Sequence, residues 1–267
     1  MGLEGGGFMY LSAERIAMAN QAIQETFEQT CLAWQIIPHW DTGDPAQTQV
    51  PNGSPIGPGF QPLNPVPLAA FEVTLGEAIS PTPDALLAKV MANTVKLAAL
   101  VDGAVFKDVH LSAAYYGSTV HVAALTPNGI MDALIDARVE VEKAGYRSPS
   151  CLLTDTVGVK ALNQLFNGYY SVLDSLLGPA NINSLQRIEP LPPPDVRGLL
   201  LGRRQRIAHA GASEASSGEE PVDLAVSVGP TLEVVGDTAT NTVELKIRMT
   251  FATRVKEADG VVVFVAP

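Results

Sequence analysis

Residues 38–67 read PHWDTGDPAQTQVPNGSPIGPGFQPLNPVP, thirty residues with eight prolines (38, 45, 51, 55, 58, 62, 65 and 67) and four glycines (43, 53, 57 and 59). Proline fixes φ and donates no N–H, so the stretch predicts neither a helix nor a central strand. Two readings remain, a disordered linker or an extended arm laid on a neighbouring molecule. Ile56, Phe60, Leu63, Val66 and Leu68 favour the arm, because disordered linkers rarely carry such side chains.

Long helices flank this stretch. Residues 1–11 are glycine-rich and loose. Ser12 is a good N-cap, and Ile16, Ile23, Phe27, Cys31 and Trp34 recur at helical steps, so one amphipathic helix is expected over about 12–35 before Pro38 stops it. After the arm, Phe71–Leu75 alternates like a strand. Ser80-Pro-Thr-Pro83-Asp84 then opens a second helix to about Lys107. Leu86, Leu87, Val90, Met91, Leu97, Leu100, Val101 and Val105 give it a broad apolar stripe, against few polar residues (Lys89, Asn93, Lys96, Asp102), so it is buried or packed on two sides.

The rest of the chain mixes short elements. His110 and His121 flank a candidate hairpin. Thr126-Pro127-Asn128 starts a helix that ends at Ala144-Gly145. Residues 150–155 read as a buried strand, 156–166 and 170–177 as helices, and 185–190 and 196–202 as strands; residues 208–221 form a surface loop. Residues 222–235 are strand-like with a break at Gly229-Pro230. Val243, Leu245, Ile247, Met249 and Phe251 alternate with polar residues in a half-exposed strand, and Asp259-Gly260 turns Val261–Val265 back to pair as the last strand.

The composition excludes several functions. Net charge is −11, and residues 1–88 hold nine acids against Arg15 alone. Such a chain does not grip nucleic acid through its phosphates. Hydrophobic residues make up 46% against 17% charged, enough for a sizeable core and for apolar contacts between subunits. The two cysteines, Cys31 and Cys151, read as buried free thiols. The opening MGLEGGGFMY lacks the features of a secretory leader, and the longest apolar runs are too short to span a bilayer, which points to a cytoplasmic protein with no membrane partner. No phosphate-binding glycine loop, H-E-x-x-H or C-x-x-C occurs, so no catalytic, cofactor or metal site is expected; His39-Trp40-Asp41 with Asp44 reads as a local turn. Arg197, Arg203, Arg204 and Arg206 form the only basic cluster, either a solvated strand end or a set of salt bridges to acids (Glu189, Asp195, Glu219, Glu220) across a subunit boundary. Tyr115-Tyr116 and Tyr169-Tyr170 read as core or interface packing. With Trp40 and Phe60, the four arginines are the candidate inter-subunit contacts.

The order of these elements resembles the Hong Kong 97-type fold of tailed-phage capsid proteins, shared by encapsulin shells. The likeness covers most of residues 71–267. It is carried by Ser148-Pro-Ser-Cys-Leu-Leu-Thr-Asp155, Gly168-Tyr-Tyr170, Leu173-x-x-Leu176, Ile188-x-Pro190, Gly198-Leu-Leu-Leu201 and the closing Asp223-Leu224, Gly229, Thr242-Val-Glu-Leu245 and Thr250-Phe251. The resemblance implies an α+β fold: an N-terminal arm and helix over 1–37, an extended loop over 38–75, a spine helix and peripheral domain over 76–126, an axial domain over 127–240 and peripheral closing strands over 241–267. It implies a major capsid protein that self-assembles, as pentamers and hexamers, into the icosahedral head shell of a double-stranded DNA phage, non-enzymatic, without cofactors, located in the virion after assembly in the host cytoplasm. Portal, scaffold or decoration proteins are its implied partners, and packaged DNA is met without sequence-specific binding. An encapsulin shell around a cargo enzyme is the alternative. Two departures bear on the choice. The arginine-rich stretch that follows the first helix of encapsulins is replaced by Ile36-Ile37-Pro38-His39-Trp40, which favours the phage protein. The first lysine is Lys89, so the extended loop has none for isopeptide cross-linking.

Overall fold

A computed structural model of the chain describes residues 11–53, 59–146, 150–166, 168, 170–175, 180, 182–189, 196–202, 220–237 and 241–266, without the side chains of 165, 166, 170, 174, 175 and 237. The glycine-rich start (1–10), Tyr169, residues 176–177 of the expected short helix and loop residues 208–219 lie outside these.

Ser12 accepts a hydrogen bond from the Arg15 N–H and opens α1, Ala13–Thr30, which buries Ala19, Ile23 and Phe27. The expected single helix is two: the chain turns extended at Cys31 (φ −82°, ψ 108°) before α2, Leu32–Ile36. Asp102, seventy residues on, causes the break. Its carboxylate accepts from the N–H groups of Leu32 (3.1 Å) and Ala33 (2.7 Å) and from the Cys31 thiol (3.3 Å), supplying the start of a second helix with a cap from another element. His39 then stacks on Trp34 with ring centres 3.6 Å apart, which fixes where the arm begins.

The arm holds short strands: β1 (His39–Asp41), β2 (Gln49–Pro51), β3 (Phe60–Pro62) and β4 (Asn64–Pro65), followed by β5 (Phe71–Thr74). Thr74 and Glu77 form a capping box that starts α3, Leu75–Ile79. Lys89 sits 2.6 Å from Glu77, and its hydrogen bond together with those of Thr74 holds the Glu77 carboxyl down to about 2. The helix α4, Asp84–Tyr116, has 33 residues and is about 50 Å long. It passes the expected end at Lys107 by two and a half turns, so His110 lies buried within it and no hairpin joins His110 to His121.

Beyond it come β6 (Ser118–His121), α5 (Pro127–Lys143), β7 (Ser150–Thr154), α6 (Thr156–Leu162), β8 (Leu165–Phe166), β9 (Tyr170–Ser171), α7 (Val172–Ser175), β10 (Ser184–Arg187), β11 (Val196–Gly202), β12 (Val222–Asp237), β13 (Thr242–Val255) and β14 (Val261–Val265). The helix expected over 156–166 stops at Leu162, and the next residues form the β8–β9 hairpin around Gly168, whose φ of +77° suits glycine.

Two mixed sheets organise the fold. The first runs β1-β12-β13-β4, with β5 also on β13. Gly229-Pro230 does not break β12; the pairing with β13 shifts register there instead. The odd residues of β13, Val243 to Phe251, are buried as their alternation predicts. The second sheet runs β10-β7-β11-β14-β6. The expected return of Val261–Val265 onto β13 does not occur. The short 3-10 turn Ala258–Gly260 carries the chain across to the second sheet, where β14 pairs with β11 and β6. A run of apolar residues with no polar alternate is suited to a central strand rather than an exposed hairpin arm. One core joins α1, α4 and the inner faces of both sheets, through Leu97, Phe106, Leu153, Leu199, Ile247 and Val263; a second packs α5 and α6 on the far face of the second sheet.

Tyr146, in the second core, packs against Gly202 at the end of β11 and Gly260 in the 3-10 turn. A methyl group on Gly260 would stand 2.6 Å from Pro221 Cβ and 2.7 Å from Tyr146 Cε2. Gly260→Ala is therefore expected to destabilise the fold by about 1–3 kcal/mol, measurable by denaturant unfolding, whereas Gly43→Ala, which meets nothing within 4 Å, gains no clash of this kind and costs only its positive-φ strain.

Candidate assembly surfaces

The proline-rich arm crosses the chain's own first sheet. It leaves along one edge, where β1 pairs parallel with β12 (His39 to Leu224, Asp41 to Val226), and returns along the other, where β4 pairs with β13. Between these edges it must cross the sheet face. Val50 and Leu63 pack there on Ala225 and Ala252, which are register partners on β12 and β13 and leave room for the arm. The base of the arm thus lies on its own molecule. The β2–β3 hairpin carries Phe60, which is 55% exposed.

A buried charge cluster fastens that base. Asp223, on β12, faces its register partner Arg254, and both guanidinium nitrogens Nε and Nη2 donate to it at 2.6 Å. Lys256 Nζ lies 3.0 Å from the same carboxylate, and the Trp40 indole N–H donates to it at 3.3 Å. The Arg254 guanidinium also sits 4.7 Å from the Trp40 ring centre and donates to the Pro51 carbonyl at 2.9 Å. Two sheet residues therefore hold the arm at two points, Trp40 and Pro51. Sequence reasoning marked Trp40 but missed Asp223 and Arg254 as its partners. A polar residue at an inward strand position opposite an arginine was the available signal.

Burial pushes the Asp223 carboxyl up, but the Arg254 hydrogen bonds and the charges of Lys256 and Arg254 outweigh it and hold the group below its ordinary value. With the folded pKa below the unfolded one, the stabilisation is complete above an ordinary carboxylate pKa of about 3.9 and is lost as pH falls through the lowered value. The stability difference between wild type and Asp223→Asn should therefore be constant from neutral pH to about 5 and shrink as pH falls below the ordinary carboxylate range, as read by unfolding curves across pH.

Arg197 pairs within its own chain, to Asp155 at 3.0 Å, and Glu189 pairs with Arg187 at 3.5 Å and caps the Thr156 N–H. Arg203, Arg204 and Arg206 lie outside the described residues. The structure brings Trp40 together with the Arg254 cluster and leaves it apart from Arg197.

A further candidate surface is the outer face of α4. Leu86, Val90, Leu97, Val101, Val105 and Val109 face the core. The opposite face exposes Met91, Val95, Leu100 and Leu111 with Ala92, Ala99 and Ala104 between them, and Lys96 and Lys107 as its charges. Tyr115 is 79% exposed at its end. These exposed apolar residues on one helix make it a candidate interaction face. Both cysteines are buried and free, and burial followed by the Asp102 charge pushes the Cys31 thiol up, so it stays protonated. Among the described residues, no group of three or more His, Cys, Asp or Glu is placed to hold a metal ion, and no helix is long and apolar enough to cross a membrane.

No family model matches the sequence, and no curated protein matches it. Solved structures do match. The virus-like particle protein from Pyrococcus furiosus superposes with a TM-score of 0.70 at 11% identity, covering 94% of this chain and 100% of that one. A phage-related protein of Bordetella bronchiseptica gives 0.62 at 10% identity (93% and 96%), and a structure from Mycobacterium phage Bobi gives 0.54 at 14% identity (78% and 73%). The chain therefore has the α+β Hong Kong 97-type capsid fold.

Proposed function

We propose that this chain is the major capsid protein of a tailed double-stranded DNA phage, assembling through repeated copies into an icosahedral head shell in the host cytoplasm and acting without catalysis. The observation that carries this reading is the exposed apolar face of α4 on a fold shared, over nearly its whole length, with shell-forming proteins. A monomer has no use for so long an apolar face, whereas heterologous contacts in a closed shell bury it. In this reading the first sheet with α1 and α4 forms the peripheral domain, so β12 and β13 lie together on both sides of residue 240. The second sheet with α5 and α6, β14 included, forms the axial domain around the five- and six-fold axes. Phe60, on the arm's hairpin, reaches a neighbour, and portal, scaffold or decoration proteins complete the head.

A nanocompartment shell enclosing a cargo protein is the second reading, favoured by the full-length match to a virus-like particle. Particles purified from infected or induced cells and treated with nuclease separate the two. Protected double-stranded DNA is expected; a stoichiometric copurifying protein without nucleic acid supports the second reading, and the absence of particles contradicts both.

A further inference from the structure

The second sheet ends, among the described residues, in two strands with one unpaired edge each, β6 and β10, four strand spacings or about 19 Å apart. The flanks of these edges differ in charge. Beside β6, an open groove of about 530 Å³ runs between the strand and α5, lined by His121 and its β6 neighbours and by Asp136, Val139, Glu140 and Lys143. Asp132, Asp136 and Glu140 follow at four-residue steps along one face of α5, against Lys143, which pairs with Glu140 at 2.7 Å. Val139 is exposed among these acids. Beside β10, α6 exposes Val157 and Lys160, and Arg187 projects from the strand, hydrogen-bonded to Thr156 with 61% of its side chain exposed; Glu189 is the acid beside them. One flank therefore sets an exposed valine among three acids and one lysine, and the other sets an exposed valine among two bases and one acid.

We infer that adjacent copies of this chain meet through these two flanks: the groove between β6 and α5 of one copy receives the α6 and β10 flank of the next, Val139 packing on Val157 and the carboxylates of Asp136 and Glu140 facing Lys160 and Arg187. The inference rests on the shell reading and specifies one of its contacts. Because the two flanks are different surfaces towards opposite edges of one sheet, the contact is head-to-tail, and a rotation that repeats it closes a ring. The apolar pair supplies desolvated contact, while the charges set register and direction.

Charge reversal in the full chain tests this. Asp136→Lys with Glu140→Lys, and separately Lys160→Glu with Arg187→Glu, should each leave the unfolding midpoint near wild type, since all four side chains are solvent-accessible, but abolish closed particles in electron micrographs. All four reversals in one chain should restore them, because each copy then again presents complementary flanks. If wild type forms shells and either double reversal assembles normally, or the quadruple variant fails to recover, the contact is wrong while the shell stands. If wild type forms no closed particle either alone or with portal, scaffold and decoration proteins added, the shell reading falls with it. Oxidation of Val139→Cys with Val157→Cys, in the native charge background, gives a check independent of the reversals. A ladder of disulfide-linked multimers is expected, with Cys31 and Cys151 silent because they are buried; its absence from assembled particles overturns the contact.

Discussion

Arg254→Met should destabilise the chain by about 3–5 kcal/mol, among the largest effects of any single substitution outside the central core. The side chains of Asp223 and Arg254 are 5% and 14% exposed, so the substitution leaves a carboxylate buried with Lys256 as its remaining cation. It also removes the donor to the Pro51 carbonyl and the cation above Trp40. Losing a buried charge's partner costs far more than the net worth of the pair, because the desolvation of the carboxylate is no longer offset. Pairing the change with Asp223→Leu should recover much of the loss, since two apolar groups leave no buried charge behind. Denaturant unfolding measures the first effect, and quenching of Trp40 fluorescence reports whether the arm has lifted from the sheet. A loss within about 0.5 kcal/mol for Arg254→Met alone would show that the cluster does not hold the arm.

The second large effect is on assembly rather than stability. Val95→Glu combined with Leu100→Glu places two carboxylates on the exposed face of α4. Unfolding free energy should move by about 0.5 kcal/mol or less per site, as for other solvent-facing substitutions. Particles, in contrast, should disappear, because burying two unpaired carboxylates in a contact between copies costs far more than that contact gains. Leu97→Ala provides the opposite case. Leu97 is fully buried on the inner face, so its truncation should cost about 2–5 kcal/mol of stability. Normal particles from the double glutamate variant would mean that the outer face of α4 is not an assembly surface.

Much of the fold was legible from periodicity alone. Strict alternation from Val243 to Phe251 placed β13, Pro127 and Gly145 bounded α5, and residues 196–202 were a strand end to end. What failed depended on partners distant in sequence. The helix break at Cys31 is set by Asp102 in α4, and no local residue between Thr30 and Leu32 is a helix breaker. The end of α4 was misplaced because Lys107, Asp108 and His110 interrupt the apolar stripe, although His110 is buried. Asp259-Gly260 has the composition of a hairpin turn, yet Val261–Val265 has no polar alternate and pairs inside the second sheet, a choice that only tertiary packing could make.

The arm teaches the same point about the candidate contacts. Its prolines exclude a helix and a central strand, and its apolar residues favour an arm over a featureless linker. Composition does not say which molecule those apolar residues cover. Val50 and Leu63 cover Ala225 and Ala252 of the same chain, and Phe60 is left outward. Trp40 was identifiable as a large aromatic in an exposed-looking turn, but its role depends on Asp223 and Arg254, about 180 and 210 residues away and adjacent to each other only through strand register.

Electron microscopy of the full chain expressed alone, and then with portal, scaffold and decoration proteins added, tests the central claim most directly. Closed, uniform icosahedral shells, formed alone or once those proteins are added, are the predicted result. A monomer or dimer that stays unassembled under both conditions would contradict it.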